Sequence, residues 1–110
     1  MSETLLKLVR LNQDELLSIQ QSFRATFLPA DHLWLFGSRA NMNKRGGDID
    51  LYIETNVTDL ADVSTRENQF IFKLWDLIGE QKIDVVINIL PANKDLPIYS
   101  IAKNTGIQLI

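Results

Sequence analysis

Five residues in this 110-residue chain have the types and spacing to handle a phosphate together with a cation: Gly37, Ser38, Asp48, Asp50 and Asp84. Side chains alternate along a strand, so Asp48 and Asp50 share one face of the run Asp48 to Glu54 while Ile49, Leu51 and Ile53 share the other. Carboxylates held that close repel unless a cation neutralises them. Oxygen-only ligands favour a hard ion such as magnesium, whose shell is usually completed by substrate phosphates. A later run, Lys82 to Ile89, alternates the same way and adds Asp84 to that face if the two runs are neighbours in one sheet. Gly37-Ser38 follows the apolar run Leu33 to Phe36 and offers backbone N–H groups, a hydroxyl and a helix dipole to an anion. Taken singly, each feature has a plainer reading as an exposed strand residue or an ordinary turn; taken together they point to a nucleotide. Arg39, Lys44 and Arg45 supply local positive charge for a triphosphate. His32 is the sole histidine and assembles no Ser-His-Asp set, and neither a G-x-x-x-x-G-K-[ST] loop nor a G-x-G-x-x-G fingerprint is present.

The elements that would carry these residues can be read in order. Asn12 and Glu15 form a capping pair ahead of Leu16, Leu17, Ile19, Gln20, Phe23 and Phe27, which predicts a helix over about 12–27. Asp31 to Phe36 reads as a strand apolar on both faces, hence central in its sheet. A brief helix from Ser38 and a Gly46-Gly47 turn lead into the Asp48–Glu54 strand. A helix over about 59–78 ends at Gly79, with Glu67 interrupting its apolar stripe and suggesting a break near Ser64–Glu67. After the third strand, a helix over about 96–104 is capped by Gly106 and followed by the apolar tail Ile107–Ile110. Trp34, Phe36 and Trp75 read as core, whereas Phe72 and the tail lie off the stripes and read as interface. The expected architecture is α+β, a small mixed sheet with helices packed on one face.

Length predicts a single domain spanning residues 1–110, with no room for a separate substrate domain. Hydrophobic residues at 45% and charged residues at 23% fit a folded globule. Absence of cysteine excludes disulfides and thiolate metal sites and fits a reducing cytoplasm. The chain start MSETLLKLVR has no secretory pattern, and no run approaches the ~20 apolar residues needed to span a bilayer. A net charge of −3 argues against a long nucleic-acid duplex as ligand.

The segments GSRA, DIDLYIE and KIDVVI resemble the minimal nucleotidyltransferases of the DNA polymerase β-like superfamily, and the likeness covers most of the chain. The resemblance implies the nucleotidyltransferase fold and a reaction in which Asp48, Asp50 and Asp84 bind two magnesium ions and act catalytically on ATP. By the same likeness Gly37 and Ser38 hold the β- and γ-phosphates; Arg39 is placed beside them in the nucleotide site by its charge. Nine residues, Arg39 to Gly47, separate the serine from the first aspartate, a shorter spacer than in many members. Stand-alone members of this size are similar to antitoxins encoded beside an all-helical HEPN protein, some of which transfer AMP to a tyrosine of that partner. This implies a hetero-oligomer and a cytoplasmic toxin-antitoxin system. A catalytically silent antitoxin that binds a helical partner, and an antibiotic-modifying nucleotidyltransferase, are the alternatives.

Overall fold

The computed structural model describes residues 2–43 and 47–110. Lys44, Arg45 and Gly46, which the sequence reading assigned to phosphate charge and a turn, lie outside the described residues. A short helix α1 (Ser2–Leu8) precedes α2 (Gln13–Thr26), strand β1 (His32–Phe36) and a 3-10 turn (Gly37–Ala40). Then come β2 (Ile49–Thr55), α3 (Leu60–Ile78), β3 (Ile83–Ile89), a second 3-10 turn (Leu90–Ala92), α4 (Pro97–Thr105) and the short β4 (Ile107–Gln108). The strands form one mixed sheet in the order β3-β2-β1-β4. β1 is antiparallel to β2 and β4, while β2 and β3 run parallel with α3 as the crossover between them. β1 is therefore internal, as its two apolar faces require.

The first face of the sheet carries Leu33, Leu35, Ile49, Leu51 and Ile53, none of them measurably exposed, under α2 and α3. Phe23 of α2 meets Phe70 of α3 edge-on at 6.1 Å over this core. α2 starts where its capping box forms: Asn12 Oδ1 accepts from the Glu15 N–H at 2.7 Å, and Glu15 Oε1 accepts from the Asn12 N–H at 3.0 Å. α3 is unbroken from Leu60 to Ile78, so the suggested interruption at Ser64–Glu67 does not occur. Glu67 stays inside the helix half-buried, and burial pushes its carboxyl above the ordinary value.

The expectation that helices cover one face is corrected at α4, which packs on the other. Trp34 and Tyr52 alternate onto that second face and are 5% and 1% exposed, a burial that needs a covering element. Ala102 supplies it without bulk, fully buried against them, and Tyr99 packs beside them. Polar contacts fix the cover. The Tyr52 hydroxyl donates to Glu54 at 2.9 Å, Lys103 reaches the same Glu54 oxygen at 3.3 Å, and Lys103 Nζ lies 5.2 Å from the Trp34 ring centre.

The tail reading is corrected as well. Ile107 and Gln108 pair with Leu35 and Trp34 of β1, and Leu109 is 4% exposed in the main core. Buried Gln20 donates to the Leu109 carbonyl at 3.0 Å, tying the tail to α2. α1, which the sequence reading did not assign, brings Leu5 and Leu6 against the core, followed by the buried Val9 and Leu11. Among the described residues no helix is long and apolar enough to cross a membrane.

Candidate active site

The parallel register sets Ile49 opposite Ile83 and Asp50 opposite Asp84. One step earlier, where both strands begin, Lys82 Nζ lies 3.4 Å from Asp48 Oδ2. Three carboxylates and one ammonium thus stand as a two-by-two patch at one end of the sheet, on the face that α4 covers further along. Asp48 and Asp50 are partly buried and Asp84 is exposed.

The patch is short of positive charge. Asp50 shows it: its carboxyl is raised above the ordinary value of 3.8 first by burial, then by the charge of Asp84 and a hydrogen bond to it, then by Asp48, with Lys82 only partly offsetting these. Among the described residues no three carboxylate or imidazole groups already close into a cage around a metal ion. Asp48 is drawn toward Lys82, and Asp84 projects into solvent. The donor set itself, oxygen-only and net negative, fits a hard divalent cation.

Phe36, the last residue of β1, is opposite Asp50, which brings the following Gly37 against the aspartate. Gly37 has φ +71°, and a Cβ there would run into Asp50 Oδ2, so this approach requires glycine. The turn after it is a single 3-10 turn, Gly37–Ala40, shorter than the helix expected, and too short to contribute much macrodipole. Among the described residues, the turn itself offers an anion its local N–H groups and the half-buried Ser38. His32 is opposite Glu54, four residues along β1 from Phe36, and is exposed beside the tail carbonyl of Ile110 at 3.3 Å.

Arg39 is mostly enclosed, its side chain 16% exposed. Its Nη1 donates to the Arg10 carbonyl at 2.8 Å and its Nη2 to the Gly47 carbonyl at 2.9 Å, with Glu15 Oε1 3.8 Å from Nη1. Arg10 returns the contact: its N–H donates to the Arg39 carbonyl at 2.7 Å and its Nε to the Ser38 carbonyl at 3.2 Å.

One further carboxylate, Asp31, carries no signal in the sequence beyond its place at the start of the β1 run. It is 1% exposed and accepts from the Thr55 hydroxyl at 2.7 Å and from the N–H groups of Asn56 and Leu28 at 2.8 and 3.0 Å. Its role is structural, pinning the α2–β1 connection to the far end of β2. Concavities of about 640 Å³ beside Leu5, Leu17 and Leu109, and of about 530 Å³ beside Leu60, Ile87 and Tyr99, lie elsewhere and are not lined by the site aspartates. No protein-family model and no curated protein matches the chain.

Proposed function

We propose that this chain is a magnesium-dependent nucleotidyltransferase of the minimal, polymerase β-like type that transfers AMP from ATP to a hydroxyl of a small all-helical HEPN-type partner. The reaction is taken from the likeness of GSRA, DIDLYIE and KIDVVI to that family. The observation that carries it is the patch itself: Asp50 and Asp84 abreast in the parallel register, Asp48 one step away, and Gly37 backbone closed onto Asp50.

Asp48, Asp50 and Asp84 hold the cations in this reading, which when bound neutralise the triphosphate and make the acceptor hydroxyl more acidic. Gly37 and Ser38 orient the β- and γ-phosphates through backbone N–H groups and the hydroxyl. Asp84, the exposed carboxylate, receives the proton of the acceptor hydroxyl. The acceptor oxygen bonds to the α-phosphorus as the bond from that phosphorus to the bridging oxygen breaks, and pyrophosphate leaves with the electron pair. Asp84 faces solvent and not an enclosed cavity, which suits an acceptor carried on another protein.

Co-expression with the protein encoded beside it, followed by intact-mass measurement of the complex, is the test. The expected result is partner mass increased in AMP units, abolished by Asp48→Ala. A tight complex with no added mass would assign the chain to silent binding modules, and adenylylation of free aminoglycosides without any complex would assign it to antibiotic-modifying enzymes.

A further inference from the structure

Two arginines exchange contacts behind the patch. Arg39 reaches out of the 3-10 turn to the Arg10 and Gly47 carbonyls, and Arg10 reaches back to the carbonyls of Ser38 and Arg39. Three segments meet there: the α1–α2 link, the Gly37–Ser38 turn, and Gly47, the residue immediately before Asp48. Glu15 Oε1, which caps α2 through the Asn12 N–H, is the same oxygen that faces Arg39. With its two terminal nitrogens already donating to backbone carbonyls and only 16% of its side chain exposed, Arg39 is poorly placed to meet a solvent-borne triphosphate.

We propose that Arg39 is a positioning residue and not a phosphate ligand: with Arg10 it locks the Gly37–Ser38 turn and Gly47 to the α1–α2 link, and so holds Asp48 and Asp50 where a cation can bind between them and Asp84. This rests on the nucleotidyltransferase reading for the identity of the cation site, while the lock itself is a property of the fold. A guanidinium suits the task because it serves two carbonyls from one rigid plane, which a lysine ammonium does not reproduce.

The test uses manganese as the probe, without nucleotide, in calorimetric titrations of the full chain and of Arg39→Met, Arg39→Lys, Arg10→Met and the Arg10→Met, Arg39→Met double variant. Removing groups that orient metal ligands typically costs ~10-fold or more in metal affinity. A loss of that order is expected in both Arg39 variants and in Arg10→Met, with the double variant falling by less than the product of the single losses because both belong to one network. Unchanged manganese affinity together with weakened ATP binding, restored by Arg39→Lys, would overturn the proposal and make Arg39 a phosphate ligand. Amide hydrogen exchange on the metal-free protein gives a second reading: faster exchange at Asn41 and Ile49 is expected in the variants, and unchanged exchange overturns the lock. Should Arg39→Met not fold, Arg39→Lys and Arg10→Met carry both measurements. A wild-type chain that binds no manganese either alone or with ATP present would sink the nucleotidyltransferase reading, and the exchange data would still decide the lock.

Discussion

Gly37 and Asp50 divide between them a space that admits no further atom. Gly37→Ala would place a methyl against Asp50 Oδ2 at a φ of +71°, where an L-residue is strained by ~1–2 kcal/mol. The aspartate is the softer of the two parties and would swing aside. The expected outcome is a modest fall in urea stability with a much larger loss of magnesium-ATP affinity, measured by calorimetry; unchanged affinity would show that the close approach has no part in binding. Asp50 also makes a pH prediction. Its folded-state value is raised, so the native chain binds that proton more tightly than the unfolded chain, and stability falls as pH rises from the ordinary value of 3.8 through the raised one. At neutral pH the ionised carboxylate is therefore a cost to the fold. Asp50→Asn removes it and should raise Tm at pH 7 without added metal, with the gain shrinking as pH is lowered toward 4. Scanning calorimetry at both pH values is the check, and a lower Tm at pH 7 would count against crowded carboxylates.

Elements are held at their ends as much as along their faces. α4 ends at Gly106 with φ −89°, an ordinary backbone angle, so glycine is needed there for space. A Cβ would strike the Ala102 carbonyl oxygen and lie 2.8 Å from that of Leu35, and neither backbone atom can yield. Gly106→Ala should therefore cost ~2–3 kcal/mol, at the upper end of overpacking penalties, read as a lower urea midpoint at constant slope. Asn12→Ala, which opens the α2 capping box, should cost ~1 kcal/mol by the same measurement. The sequence showed most of this framework because its period was clean. Alternation in DIDLYIE and KIDVVINI located β2, β3 and the shared face of Asp50 and Asp84, and the Asn12–Glu15 pair located the start of α2. What it hid depends on contacts between distant segments. α1 is too short for a periodic signal; α4 covers a face defined only once Trp34 and Tyr52 are paired; and the Arg10–Arg39 exchange joins residues 29 apart. For Arg39 the sequence shows the charge that suits a triphosphate and not the two carbonyls to which its guanidinium donates.

At the scale of the whole molecule, the question is which apolar surface remains for another protein once the chain has satisfied itself. Two segments were open to that role from sequence, and the fold separates them. The tail is consumed: β4 closes the β1 edge, and Leu109 lies in the core at 4% exposure with Gln20 on its carbonyl. Phe72 remains outside, 62% exposed on α3, its ring set edge-on to Trp75 at 5.9 Å. A truncation should therefore act on different quantities at the two positions. Leu109→Ala removes buried methyl groups and leaves a cavity, so it should lower stability by ~2–4 kcal/mol with or without a partner. Phe72→Ala strips a side chain already in water and should leave Tm nearly unchanged, since surface substitutions typically stay within about 0.5 kcal/mol. If Phe72 anchors the proposed helical partner, the same substitution should weaken the complex by ~10-fold or more, the scale of a buried aromatic anchor. Denaturation of the free chain and titration of the partner into each variant separate the effects. A complex indifferent to Phe72→Ala would move the docking surface off α3, and a Leu109→Ala chain as stable as wild type would contradict the tail's place in the core.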